Sequence, residues 1–517
     1  MEKRTFAAVI ISILILFGWQ YFFAPKHPQK HLQDVQASSH TSVAAPVAVS
    51  SSAAVVLPSG SRTHDKARVV NIETDSAIYE LSEQDAGITA CYLKEKDTGR
   101  KEVNLVLPGS KFLEDAGTGV WEFVGKDAHS AKFVTSAGDL DIEKTFIFRD
   151  GAYLADVEYL ITNSGNEQRN FSGLNISAGP GIGTDAIDAK ENKRLTRAVS
   201  YTVKKADKLK PGEYSFPGKW VGLDNRYFLF AIFRDGTDFN NIHVSERDKL
   251  PVLRITTGQT LLNAGSTKKI HLSAYIGPKG YTRLKGIKLD GFEPELEKAV
   301  DFGFFNDVGK LALLTLNYFY KLTSNYGWSI VLISIILNIV FFPLSKKSFQ
   351  SAQAMKSIQG EVKLLQVKYK SDPKKMNTEV WNLYKSKGVN PFSGCFPMLI
   401  QLPIFWALFT MLRNAYELRG APWIFWINDL SRPDVLFTIS GFGVPVLPII
   451  MGLGMFVQQW MTTSSADPTQ KQLMFLMPII FTIMFISFPS GLVLYWLTNS
   501  TITIVEQYFM MKKIAVK

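Results

Sequence analysis

The chain has 517 residues, 46% of them hydrophobic and 20% charged, with a mean hydropathy close to zero. That length exceeds what one hydrophobic core organises, and that apolar content excludes a disordered chain. A net charge of +11 suits nucleic acid or a membrane surface, but Ser345 to Gly394 carries ten lysines and no arginine against three acids, between two apolar stretches, which points to a positive-inside loop and away from a DNA partner.

The first 25 residues, "MEKRTFAAVIISILILFGWQYFFAP", place Lys3 and Arg4 before an apolar run that ends at Ala24. The run is longer than a signal-peptide core and no clean small-residue cleavage site follows, so residues 1–24 read as a retained transmembrane anchor, basic end in the cytoplasm. Trp19, Tyr21, Phe22 and Phe23 then form an aromatic belt at the outer interface. Residues 25–60, rich in Ala, Ser, Val, Gln, Pro and His, read as a flexible linker reaching on the order of 30 Å.

From 61 to 300 the hydrophobic period becomes two. In "KTFIFRDGAYLADVEYLITNSG" the residues Tyr153, Ala155, Val157, Tyr159 and Ile161 share a face, and Asp150-Gly151 signals a two-residue hairpin; Asp235-Gly236 repeats the scheme. Many short strands punctuated by Gly and Asn predict a large antiparallel β-sandwich on the outer side of the membrane.

In "NDVGKLALLTLNYFYKLTSN" the residues Asp307, Lys310, Asn317 and Lys321 draw a narrow polar stripe on an apolar helix. The segment 301–325 directly precedes a membrane span, and it reads as a helix lying in the interface plane; the other reading is a core helix of the sandwich. The region 326–517 then offers five apolar segments, near 326–344, 395–413, 441–461, 473–489 and 491–510, each close to bilayer length. With the anchor this makes six transmembrane helices, and both termini fall in the cytoplasm. The block 345–394 between the first two segments is itself helical: Ile358, Val362 and Leu365, then Met376, Val380, Leu383 and Tyr384, form two apolar seams, separated by "SDPKK". They predict a cytoplasmic helical hairpin.

Catalytic patterns are missing. There is no HExxH, no phosphate-binding loop and no GxSxG elbow; "GPGIGTD" at 179–185 has the look of a Gly-rich turn. All seven histidines precede Ala274, and Cys91 and Cys395 fall in different compartments. No enzyme activity, metal or cofactor is expected. What the helical region does hold is polar residues at matching depth. Asn338 lies roughly 10 Å from the inner end of its helix, Gln401 at a similar depth, Gln458 and Gln459 shallower, and Ser334, Thr498 and Asn499 near the middle. They either line a hydrated recess in the inner half of the membrane or tie helices together by hydrogen bonds.

Three stretches, "NPFSGCFPMLIQLPIFWALF", "ELRGAPWIFWINDLS" and "FPSGLVLYW", resemble the signature segments of the YidC membrane protein insertase family, and the layout of the whole chain resembles its Gram-negative bacterial form. The resemblance implies an insertase and chaperone for nascent inner-membrane proteins. Its hydrophilic groove opens to cytoplasm and lipid, it needs no nucleotide, and it acts alone or with the Sec translocon. The groove would comprise Ser334, Asn338, Gln401, Gln458, Thr498 and Asn499, and the substrate-contacting wall Leu402, Phe405, Met411, Tyr495 and Trp496. Membrane lipids are the other expected partner, with weak ribosome contact through the lysine-rich hairpin. The family pattern carries an Arg where this chain has Asn338, so a fixed positive charge is not expected in this groove. A secondary transporter of a small solute is the alternative; it predicts an inverted repeat and paired midplane charges, and the five segments show neither.

Overall fold

The computed structural model describes residues 69–94, 103–115, 120–185, 188–202, 206–215, 218–234, 239–289, 291–389, 396–439, 442–462 and 468–515. The expected anchor at 1–24, the linker at 25–60 and the Asp235-Gly236 turn lie outside them.

Two antiparallel sheets make up the first part. One runs, edge to edge, through Val69–Glu73, Ala77–Ser82, Gly87–Leu93, Lys111–Asp115, Asn175–Gly179, Leu250–Thr257, Phe239–Arg247 and Gly212–Ser215, with Val103–Asn104 paired beside the third strand. The other runs through Ala206–Leu209, Arg197–Tyr201, Trp220–Asp224, Phe228–Phe233, Thr267–Pro278, Leu154–Asn163, Leu140–Arg149, Ser130–Ala137 and Glu122–Lys126. The pleat sends alternate side chains inward: Leu140, Ile142, Phe146 and Phe148 are buried while Asp141 and Ile147 are exposed. Facing rings join the layers, Tyr79 on Phe148 at 4.1 Å and Phe112 on Phe230 at 4.5 Å.

The same alternation aims Lys144 into the sandwich, where it is wholly buried. Its ammonium donates to the carbonyls of Ala86 and Leu113, each at 2.6 Å, and pairs with Asp115, which also accepts from the Tyr159 hydroxyl at 3.0 Å. Ala86 (φ 42°) and Leu113 (φ 57°) are both left-handed. The cation therefore holds two strained peptide groups whose carbonyls would otherwise lack water. The hairpin predicted at Asp150-Gly151 is longer than two residues: Arg149 pairs with Leu154, and the connection runs through Tyr153, itself left-handed at φ 55°. Burial of the Tyr153 ring against Tyr275 and under the Arg283 guanidinium outweighs the tighter turn.

The helices are α1 (Ala189–Leu195), α2 (Tyr281–Lys285), α3 (Asn306–Thr323), α4 (Tyr326–Ser357), α5 (Gln359–Lys368), α6 (Pro373–Ser386), α7 (Phe396–Asn414), α8 (Val446–Thr462), α9 (Pro468–Phe485) and α10 (Ser490–Ala515). α3 buries Gly309, Leu313 and Leu316 and leaves Leu311, Leu314, Tyr318 and Leu322 exposed on the opposite stripe. Asn325 caps α4 by accepting from Gly327 and Trp328 amides, and α4 runs on past the apolar stretch as one helix of 32 residues, long and apolar enough to cross a bilayer. α5 and α6 lie in contact and are joined by the Lys387–Glu361 pair at 2.8 Å; Asp372 and Pro373 supply the start of α6. α8 packs against α9 and α10, and α10 against α4. The apolar outer faces of these helices stay open: Ile339 and Val340 on α4, Leu453 and Trp460 on α8, Ile483 on α9 and Phe509 on α10. Apolar surface facing outward along a whole bundle requires an apolar solvent.

Candidate functional site: a pair of amides between two helices

α4 and α10 lie side by side, and their facing polar residues meet. Asn338 Nδ2 donates to Asn499 Oδ1 at 2.9 Å and to the Ser334 carbonyl at 2.8 Å. Both amides are half-buried. Among the described residues Asn338 Oδ1 and the Asn499 amide nitrogen have no protein partner, so each asparagine keeps polar capacity for water or another chain.

Ser334 is wholly buried and its hydroxyl donates back to Ile330 O at 2.8 Å; Thr498 does likewise to Leu494 O. These two hydroxyls serve their own helices. Gln458 is half-buried on α8 and engaged in contacts of its own. Gln401 falls within α7, and its side chain lies outside the described ones. Two further polar groups follow Asn499 on α10 and were not singled out in the sequence: Thr503, donating to Asn499 O at 2.8 Å, and Gln507, whose side-chain oxygen is buried without a hydrogen bond among the described residues. The spacing of four from Asn499 to Thr503 to Gln507 would have flagged them as one helical face.

The expected wall divides in two. Leu402 is exposed. Phe405 and Trp496 meet edge to face at 5.3 Å in a ring cluster completed by Phe409, Phe481, Phe485 and Phe488, which brings α7, α9 and α10 together. Met411 at 0% exposure and Tyr495 at 4% are sealed in the packing, so they meet another chain only if that packing opens.

At the sandwich end, the segment between α7 and α8 is clamped by charge. Arg419, its side chain 1% exposed, lies on the Phe228 ring and donates through Nη2 to both oxygens of Asp185 at 2.8 Å; Arg432 reaches the same carboxylate at 3.1 Å. Glu191 of α1 pairs with Arg226 and with Arg413, and Glu417 accepts from the Tyr281 amide at 2.9 Å. Asp185 closes the Gly-rich turn, in which any side chain at Gly183 would strike the Asn104 carbonyl at 2.1 Å.

The profile of the family described as 60Kd inner membrane protein matches residues 318–517, and that of the YidC periplasmic domain matches residues 71–311. A relative from Endomicrobium trichonymphae, named membrane protein insertase YidC, is 40% identical over 100% of this chain and 99% of its own. One of the same name from Geobacter metallireducens is 33% identical with the same coverage. A solved YidC insertase crystal structure with the first transmembrane domain resolved aligns at 20% identity and TM-score 0.42, across 86% of this chain and 93% of that one. Matched by both profiles in succession and aligned with such relatives from end to end, the chain belongs to the YidC family, inner-membrane proteins with a periplasmic domain.

Proposed function

We propose that this chain inserts membrane proteins and helps them fold, with the recess around Asn338 and Asn499 as the point where a client's hydrophilic segment is received. The carrying observation is the half-exposed amide pair with spare hydrogen-bonding capacity between α4 and α10, helices whose outer faces are apolar. Moving a charged group to the centre of a bilayer costs at least about 2.5 kcal/mol, and partial hydration part-way across lowers that barrier. Burial of the client's own apolar segment supplies the drive, so the process uses no nucleotide, cofactor or covalent step.

Ser334, Gln401, Gln458 and Thr498 complete the groove in this reading; Leu402, Phe405 and Trp496 lie where an apolar segment passes, and Met411 and Tyr495 join them when the packing loosens. The topology is six spans with both termini cytoplasmic, an anchor at 1–24, a linker at 25–60, the sandwich at 61–300, an interfacial helix at 301–325 and the insertase core at 326–517. The α5–α6 pair is the cytoplasmic hairpin within 345–394, where its lysines meet nascent clients, anionic lipid and, weakly, the ribosome. The protein works alone or beside the Sec translocon.

A photo-crosslinking amino acid at position 338, tested against stalled nascent chains of a single-span membrane protein, is expected to capture the client, and capture is expected to vanish when the client's apolar segment is deleted. Asn338→Leu is expected to lower insertion several-fold, since it removes about 1–2 kcal/mol of hydration and hydrogen bonding. Silence at 338, 402 and 496 together sinks the groove; silence at 338 alone leaves Asn338 a tie between helices.

A further inference from the structure

The segment joining α7 to α8, described over 415–439 and 442–445, is amphipathic and, apart from a 3-10 turn at Tyr416–Leu418, not helical. Its five charged side chains are all turned to protein. Arg419 and Arg432 hold Asp185, and Glu417 accepts from Tyr281. Asp429 accepts from the Gly420 amide at 2.9 Å and the Ser431 hydroxyl at 2.7 Å, and Asp434 from Trp426 Nε1 at 2.7 Å and the Leu447 amide at 2.6 Å. The other face is apolar and open. Phe425 is 85% exposed, and Val435, Leu436, Phe437 and Ile439 follow one another in the open with Thr438 between. A water-facing surface does not tolerate such a run.

Phe425 is also left-handed, at φ 56°. A bulky residue holds that backbone only at a cost, so the surroundings must enforce it. They do: Trp423 is docked on Trp328 at 5.7 Å, close enough that a Cβ on Gly327 would overlap its ring, and Trp426 is tied to Asp434. Between two anchored indoles the chain turns outward and presents the Phe425 ring.

The level of this patch is fixed by what it adjoins. Trp328 lies in the first turn of α4, whose exposed apolar flank continues from there, and the Val435–Ile439 edge leads directly into α8 with its exposed Ile449 and Ile450. The open stripe of α3 ends beside α4 at the same end. We propose that the 415–445 segment is seated in the sandwich-side leaflet of the bilayer, with Phe425 and the edge from Val435 to Ile439 inserted at the boundary of headgroups and acyl chains. Aromatic and aliphatic side chains favour that depth. The Asp185 clamp sets the orientation, drawing the polar face toward the sandwich and leaving the apolar face to lipid. This inference stands apart from whether the recess receives clients.

The test uses the full chain in a Cys395→Ser background, reconstituted into vesicles of phosphatidylethanolamine and phosphatidylglycerol. Cys91 is wholly buried, and burial pushes its thiol up, so it stays unlabelled. An environment-sensitive fluorophore is attached in turn at Phe425→Cys, Phe437→Cys and Ile439→Cys, with Leu261→Cys, exposed on the sandwich, as the aqueous reference. Expected at the three loop positions are blue-shifted emission, quenching by a lipid with a shallow acyl nitroxide, and protection from iodide; the reference shows the reverse. Agreement of positions 437 and 439 carries the result if Phe425→Cys disturbs its strained turn. Iodide quenching at 437 and 439 equal to that at 261 overturns the proposal. So does protection from both quenchers, which would place a second copy of the chain on this face.

Discussion

Lys144 shows how one side chain governs the sandwich interior. Removing its ammonium strands the Asp115 carboxylate and frees the strained carbonyls of Ala86 and Leu113. Lys144→Met is therefore expected to destabilise the protein by about 3–5 kcal/mol, and adding Asp115→Leu to recover much of it, because an apolar replacement of a whole buried pair is close to neutral. Chemical unfolding followed by tryptophan fluorescence reads both. Asp224 gives the pH dependence. Burial pushes its carboxyl up, but Lys279 and Arg197 outweigh that and hold it below its ordinary 3.8. A depressed carboxyl contributes stability that is fully present above its unfolded value and is lost as pH falls through the folded one. The parent is expected to lose stability on acidification below about pH 4, and Asp224→Asn, less stable at pH 7, to show a flatter decline. The period-two pattern made the inward face of these strands legible; it did not reveal that Lys144 belongs to it, since a lysine in an alternating strand ordinarily marks the solvent side.

Among the elements, the apolar part of α4 was legible as a segment near 326–344; its Asn325 cap and its unbroken run to Ser357 were not read from the sequence. Nor was its contact with the segment after α7. Gly327 is the point of closest approach, with Trp423 within 2.0 Å of where a Cβ would sit. Gly327→Ala is expected to push Trp423 off α4 at about 1–3 kcal/mol, and faster proteolysis within 415–445 is the readout; unchanged proteolysis would mean that the ring moves aside without loss. That α5 and α6 are helices was legible because i, i+3, i+4 spacing is local. The ring cluster of Phe405, Phe481, Phe485 and Trp496 was not, since each of those helices is apolar on several faces and a uniform surface carries no directional signal.

Across the whole molecule, the sandwich and the helical region are joined by the Asp185 carboxylate together with the Glu191–Arg413 pair and the bond from the Tyr281 amide to Glu417. Asp185 serves two arginines that lie more than two hundred residues away in sequence, and one of them is sealed from solvent. Asp185→Asn leaves Arg419 buried with its partner's negative charge removed. Hydrogen exchange in 415–445 is expected to rise sharply, with a stability loss of about 3–5 kcal/mol, while the sandwich interior exchanges as before. Equal acceleration in both regions would mean that the two halves unfold together and that the clamp is not local.

The kinds of element and their order follow from the order of residues along the chain. Hydrophobic period, lysine bias and turn residues are properties of neighbours along the chain, and they suffice to separate a β-sandwich from a set of apolar helices and to bring Asn338, Ser334, Thr498 and Asn499 to comparable depth. Which of these side chains meet depends on the packing of the folded chain. Asn338 and Asn499 are 161 positions apart and bond at 2.9 Å, Met411 and Tyr495 are shut into packing that their hydrophobicity alone did not predict, and a Gly-rich turn became the clamp on a distant loop. Depth follows from counting residues along one helix; pairing depends on how each helix is rotated against its neighbours, and that is set by shape complementarity across the whole bundle.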